Sequence, residues 1–236
     1  MRRSTLALLV IFLVLLIDQL LKIYIKTSMQ LGEEFGILGF SWARIHFTEN
    51  EGMAFGMKLG GNYGKLLLTL FRIIAVGFIG YYLVSLIRHK TSKGLIASIA
   101  LIFAGALGNI IDSIFYGVIF NDSFYQVATL FPEEGGYAPV FYGHVVDMFY
   151  FPMLKGYYPE WLPFIGGDFF LFFRPVFNIA DSAITLGVLS VLLFQRSIFA
   201  HHPEQEATQP GTESHENVTP EAPHPEKQSS EPESQP

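Results

Sequence analysis

The stretch Pro175-Val176-Phe177-Asn178-Ile179-Ala180-Asp181-Ser182 opens an apolar run that continues to Phe199. A carboxylate one turn inside such a run costs roughly 2.5–3.5 kcal/mol on insertion scales, so Asp181 is rarely there by accident and needs partners. Three other carboxylates stand at the mouths of apolar stretches: Asp18, Asp112 and Asp147. The runs decide the fold, and the meeting of the carboxylates decides the chemistry.

Half of the 236 residues are hydrophobic and the mean hydropathy is +0.36, too apolar for an ordinary soluble domain. Four stretches read as membrane spans, about 5–25, 66–87, 95–115 and 176–199, each long enough for a hydrocarbon core of roughly 30 Å. Met1-Arg2-Arg3 and the following leucines resemble the start of a signal peptide. The run continues past Asp18 to Ile25 with no small-residue cleavage site, so it reads as a retained first span.

Arg2 and Arg3 precede the first span, Arg88, Lys90 and Lys93 fill the turn between the second and third, and Arg196 closes the fourth. Positive residues stay in the cytoplasm, so both termini are expected there and both long connections, 26–65 and 116–175, outside. The first connection alternates through Phe40-Ser41-Trp42-Ala43-Arg44-Ile45-His46-Phe47-Thr48, enough for a strand or two and a small sheet on the membrane surface. The second is too long for a structureless loop, and its aromatics and prolines suit the headgroup layer.

The net charge of −6 belongs to the tail. Residues 201–236 carry eight Glu and one Lys with almost no apolar residue, whereas the remainder balances 14 basic against 13 acidic residues. Such a tail is expected to be disordered and cytoplasmic, leaving 1–200 as the working domain. No basic patch with interleaved aromatics points to nucleic acid. Cysteine is absent, which excludes disulfides and thiolate nucleophiles. Outside the tail, His46, His89 and His144 are scattered without ligand spacing, so neither a metal nor a cofactor is expected.

Asp18 and Lys22 lie four apart on one helix face, in the favourable acid-first order. Both a structural ion pair with Lys22 snorkelling outward and a role in holding a headgroup or a loop fit this spacing. Around Asn50, Gly52 and Ala54 the small residues allow close backbone approach to a ligand, and a plain turn explains them equally well. In Gly105-Ala106-Leu107-Gly108-Asn109-Ile110-Ile111-Asp112 the glycines permit close helix packing, while Asn109 and Asp112 share a face that belongs in the bundle interior. Asn178 and Asp181 repeat the same Asn-x-x-Asp spacing. With the third run leading outward and the fourth inward, the two pairs face each other, and Asp147 lies in an apolar stretch that can dip into the interface. Two carboxylates in contact share a proton, so Asp147 and Asp181 over one water read as an intramembrane aspartyl peptidase.

Taken in order, Asp18-x-x-x-Lys22, Asn50-x-Gly52-x-Ala54-Phe55, Gly108-Asn109-x-x-Asp112, Val145-Val146-Asp147 and Phe177-Asn178-x-Ala180-Asp181-Ser182 resemble lipoprotein signal peptidase, the bacterial signal peptidase II family. The resemblance implies an all-α polytopic membrane protein with four spans and a small extracytoplasmic β-sheet cradle, in the bacterial inner membrane. It implies an aspartyl endopeptidase that removes signal peptides from diacylglyceryl-modified prolipoproteins just before the lipid-bearing cysteine, among membrane lipids, and that globomycin-type cyclic peptides inhibit. Asp147 and Asp181 match the catalytic pair. Asp18, Lys22, Asn50, Gly52, Ala54, Asn109, Asp112, Asn178 and Ala180 match residues that support the site or the substrate. The chain departs from the family at Ser113, where Arg is usual, and in the apparent insertions 117–142 and 152–173. A proton-coupled carrier with an Asp18–Asp112–Asp181 relay, and a non-catalytic assembly factor, are the alternatives from other functional classes. The absence of an internal repeat counts against the carrier.

Overall fold

The computed structural model describes residues 1–50, 61–172 and 175–199. Gly52, Ala54 and the acidic tail therefore lie outside the described residues. Helix α1 is Arg3–Lys26, α2 Gly61–Arg88 and α3 Lys93–Ile111. From Ile111 the helix widens into a π turn, Asp112–Tyr116, and closes with one helical turn, α4, Gly117–Ile119. Such π turns are rare and frequently stand at functional sites. Among the described residues three helices are long and apolar enough to cross a membrane, Arg3–Lys26, Tyr63–Arg88 and Lys93–Ile119.

Helix α5, Ile179–Phe199, is apolar over the shorter window Ile179–Leu193. The run expected as a span from 176 therefore begins differently. Val176–Phe177 forms a strand, β6, and the helix starts only after Asn178. Pro175, with its fixed φ and missing N–H, favours the extended entry, and Asn178 is a residue that caps helices.

The connections hold more strand than the alternation at 40–48 alone implies. Strands β1 (Glu34–Gly36) and β2 (Arg44–Asn50) come from the first and β3 (Val145–Tyr150) from the second, while β6 comes from the start of the run expected as the fourth span. They pair antiparallel in the order β1-β2-β3-β6. Asp147, expected in a stretch dipping into the interface, is instead on an inner strand of this sheet, opposite Thr48. The register shifts between Ile45 and Thr48, which places a β-bulge beside it, a device that re-aims side chains near sites. The segment expected as an insertion at 152–173 includes a separate hairpin, β4 (Leu154–Tyr157) with β5 (Phe169–Phe172).

Small residues set the helix packing. A Cβ at Gly105 would run into the Ala180 carbonyl, and one at Gly108 would meet Asp18 Oδ2 at 2.8 Å and the Ala180 methyl at 3.3 Å. These contacts draw α3 against both α1 and the first turn of α5, as the glycine spacing leads one to expect. At the other end Arg3 Nε donates to the Thr91 carbonyl at 2.8 Å, tying the start of α1 to the α2–α3 turn. The sheet thus belongs to the opposite end of the bundle. Ile25, Met29, Phe47, Tyr116, Phe120, Val146 and Met148 form one buried apolar cluster that seats it on the ends of α1 and α3.

Candidate active site

The Asn178-x-x-Asp181 spacing has a structural meaning before a chemical one. Asn178 Oδ1 accepts from the Asp181 N–H at 2.9 Å, and Asp181 Oδ2 accepts from the Asn178 N–H at 3.2 Å. This reciprocal pair is a capping box that opens α5 and satisfies two N–H groups a helix start leaves unpaired. It also fixes the carboxylate, whose other oxygen accepts from Asn109 Nδ2 at 2.8 Å.

The same asparagine reaches the second carboxylate. Asn178 Nδ2 donates to Asp147 Oδ1 at 2.7 Å and lies 3.1 Å from Asn109 Oδ1 and 3.2 Å from the Val146 carbonyl. Asn50 Nδ2, at the end of β2, donates to Asp147 Oδ2. Asp147 is buried, and its carboxyl is raised to about 8, chiefly by burial and then by the charge on Asp181, against the opposing Lys22 charge and Asn178 hydrogen bond. The sequence thus brings Asn50, Asn109, Asp147, Asn178 and Asp181 into one hydrogen-bonded group.

Beneath this group lies an ionic base. Lys22 Nζ sits 2.9 Å from Asp18 Oδ2, 2.7 Å from Asp112 Oδ2 and 2.9 Å from Asn109 Oδ1, with all three charged side chains at 0% exposure. Lys22 therefore does not snorkel outward. Two carboxylates in the interior hold it there, which also offsets the cost of burying them. Asp18 Oδ1 accepts from the Ala180 N–H at 2.9 Å, and Asp112 Oδ2 accepts from the Val146 N–H at 3.4 Å. Each of these residues immediately precedes one of the paired aspartates. The Asp18–Lys22–Asp112 bridge therefore fixes the backbone under both. Ala180, fully buried against Gly108, leaves room for this approach.

Some contributors escape the sequence reading. Gln19 Nε2 lies 3.1 Å from Asp18 Oδ2 and 3.0 Å from Asp112 Oδ1, and Tyr116 donates to Gln19 Oε1 at 3.2 Å. Arg72, midway along α2, carries a charge that acts on both Asp181 and Asp147. A charge inside an apolar run was the available signal for it. Ser113, where the resemblance leads one to expect Arg, turns back and donates to the Asn109 carbonyl at 2.9 Å.

A second buried cluster lies one turn further along α1. Lys26 is bonded to Glu49, and donates to Ser123 Oγ at 2.8 Å. His144 Nδ1 lies 3.3 Å from Glu49 Oε2, and the His144 N–H donates to Tyr137 Oη at 2.6 Å. Burial alone would raise the Glu49 carboxyl, but the His144 hydrogen bond and the Lys26 charge outweigh it and hold the group below its ordinary value. No group of side chains with metal-ligand clustering occurs among the described residues.

Apolar helices of membrane-crossing length, an antiparallel sheet seated on their ends, and two aspartates tied through one asparagine are the parts that a membrane-embedded hydrolase of the aspartic class requires. Comparison with known proteins supplies the particular member of that class. The family model for signal peptidase II, peptidase family A8, matches residues 10–198. The lipoprotein signal peptidase of Porphyromonas gingivalis is 52% identical over 184 residues, covering 78% of this chain and 79% of the relative. That of Amoebophilus asiaticus is 40% identical over 188 residues, covering 78% and 75%. A solved bacterial membrane enzyme superposes with a TM-score of 0.51 at 26% identity, covering 80% of this chain and 91% of that one. A second, at 24% identity and TM-score 0.53, shares the fold. The chain belongs to the signal peptidase II family of aspartic endopeptidases, which remove signal peptides from prolipoproteins.

Proposed function

We propose that Asp147 and Asp181 are the catalytic dyad of this peptidase. The observation that carries the reading is that Asn178 donates to Asp147 through its side chain while it shares a capping box with Asp181. The pair shares one proton, carried by Asp147, whose carboxyl lies near 8. Asp181 takes a proton from a water placed between them. The hydroxide formed attacks the scissile carbonyl carbon, and Asp147 gives its proton to the carbonyl oxygen. The tetrahedral adduct then collapses: the C–N bond breaks as the amine leaves with the proton held by Asp181, and one adduct hydroxyl returns its proton to Asp147, which leaves the carboxyl product and restores the shared proton. Asn50, Asn109 and Asn178 hold the two carboxyls, Asp18, Lys22 and Asp112 fix the backbone beneath, and Ala180 leaves space for it. Gly52 and Ala54 are read as lining the substrate path.

The substrate is read as a diacylglyceryl-modified prolipoprotein cut just before its modified cysteine. Each buried methylene adds about 0.8 kcal/mol, so two acyl chains set the height of the scissile bond at the membrane surface. α5 is read as the fourth span, with both termini on the cytoplasmic side of the inner membrane and the sheet outside, an orientation the positive residues beside the α2–α3 turn support. Globomycin-type cyclic peptides are expected to occupy the same cleft. Residues 1–200 are read as the peptidase domain and 201–236 as an appended cytoplasmic tail, so truncation after His202 is expected to leave cleavage unchanged. A large loss in that truncate would place the tail in the working fold.

The test uses purified protein and one precursor prepared with and without its lipid. Asp147→Asn and Asp181→Asn are each expected to lower the rate by orders of magnitude, as removal of one member of a catalytic unit does, while the protein stays folded. Wild-type protein is expected to cleave the lipidated precursor much faster. Activity within about tenfold of wild type in either variant would overturn the dyad. Equal rates on the two precursors would overturn lipid anchoring alone.

A further inference from the structure

Among the described residues six non-glycine residues adopt positive φ: Leu38, Lys90, Tyr125, Phe131, Phe141 and Phe164. A bulky side chain in this region is a genuine outlier, held there only at the expense of backbone strain. Four of the six are large apolar residues turned into the open, with exposures of 89% for Leu38, 95% for Tyr125, 71% for Phe131 and 103% for Phe164. Packing against the rest of the protein therefore does not repay the strain. All four lie on the side of the bundle that holds the sheet: Leu38 between β1 and β2, Tyr125 and Phe131 between α4 and β3, Phe164 between β4 and β5. At the opposite end, in the α2–α3 turn, the positive-φ residue is Lys90, a charge.

The hairpin of β4 and β5 has further properties in common with an interfacial element. Its tip presents Tyr157, Trp161 and Phe164, each more than two-thirds exposed. The backbone at the tip closes on itself, with Tyr158 N–H on the Asp168 carbonyl, Gly167 N–H on the Tyr158 carbonyl and Gly166 N–H on the Leu162 carbonyl. Internal satisfaction of backbone groups is what a segment needs where water is scarce. Glu160, beside Trp161, is a charge that suits the headgroups rather than the hydrocarbon. The hairpin is also continuous with the membrane boundary, since its strands lead through β6 into the start of α5.

We propose that the hairpin tip around Trp161 and Phe164, together with the loop carrying Tyr125 and Phe131, anchors the sheet-bearing end of the protein in the phospholipid headgroup layer next to the site. This rests on the reading that both connections lie on one side of the membrane. It does not rest on the dyad.

The chain holds two tryptophans, Trp42 and Trp161, so Trp42→Phe leaves Trp161 as a single reporter. The protein is reconstituted in phosphatidylglycerol–phosphatidylethanolamine bilayers with or without bromine on the acyl chains close to the glycerol. Trp161 emission is expected to fall about twofold with the brominated lipid and to resist aqueous iodide, as for an indole at the interface. A second reporter, Tyr125→Trp in a protein carrying Trp42→Phe and Trp161→Phe, is expected to behave the same way. Quenching by iodide as in free tryptophan, with no response to bromine, overturns the proposal. Shielding from both quenchers, as a protein partner would give, overturns it too. Cleavage of the lipidated precursor by the same samples reports on the active-site reading separately.

Discussion

Lys22 and Lys26 stand one turn apart on α1, both wholly buried, and they do different things. Lys22 is held by Asp18 and Asp112, which belong to α1 and to the continuation of α3, so its cluster joins one apolar helix to another. Lys26 is held by Glu49 on β2 and by Ser123, and it lies over the rings of Phe120 and Tyr137 at 5.4 and 5.0 Å. Its cluster joins a helix to the sheet and to the loop that precedes it. The first sets the backbone under both aspartates. The second sets the strand whose last residue, Asn50, donates to Asp147. The comparison teaches that a buried lysine is read by where its partners sit: on spans it braces the bundle, on strands it fixes the sheet to the bundle.

The largest expected effect comes from removing the first lysine. Lys22→Met leaves Asp18 and Asp112 facing each other in the interior, and loss of one partner from a buried ion pair costs about 3–5 kcal/mol. Little folded enzyme is expected, measured as a large drop in thermal unfolding temperature in detergent together with loss of cleavage. Lys26→Met strands one carboxylate, and that one keeps His144, so a loss of about 1–3 kcal/mol is expected. Equal losses in the two variants would break the comparison.

Asp147 and Glu49, on adjacent strands, sharpen it through pH. Burial, aided by the Asp181 charge, raises the Asp147 carboxyl to about 8, whereas partners hold Glu49 below its ordinary value. Because folded Asp147 binds its proton more tightly than the unfolded chain does, its contribution to stability falls as pH rises from the ordinary carboxylate range to about 8 and is level above that. Glu49 acts in the opposite sense: its contribution is full above the unfolded value and is lost only as pH falls through the lower folded one. The rate should therefore decline on an alkaline limb near pH 8, as the dyad loses its shared proton. A profile that stays flat well above pH 8 would refute the assignment of the proton to Asp147.

Much of this was legible before folding, and the boundary has a physical cause. The apolar runs show three of the helices because a span needs length and composition, both local properties. Asp18-x-x-x-Lys22 and the two Asn-x-x-Asp pairs were visible because helical spacing places their members on one face. The motifs single out Asp147 beside Asp181, but its strand is not legible, since a short apolar stretch carries no clear period. That Val176 and Phe177 pair with Tyr150 and Phe149 depends on register across a long connection. Glu49 and His144 meet Lys26 through the same pairing, so no local pattern announces them. The capping box was written in the sequence as Asn178-x-x-Asp181, with its structural role covered by the chemical one.

The smallest expected effect is that of His144→Gln. His144 is about one-third exposed and its ring touches Glu49 at 3.3 Å, so the lost contact is partly solvated and worth less than about 1 kcal/mol. Lys26 remains bonded to Glu49, and the variant should unfold and cleave much as the parent does. In the Lys26→Met background the same change falls on a carboxylate left with His144 and Ser123 as its side-chain partners. It should then cost more, because the two substitutions share one buried acceptor and cannot add. A thermal-unfolding cycle over the parent, the two single variants and the double variant measures the difference. A coupling of about 0.5–3 kcal/mol is expected, the range for residues in one network. Strict additivity would mean that Glu49 does not link helix, loop and sheet, and the second half of the comparison would fail while the Lys22 cluster stood.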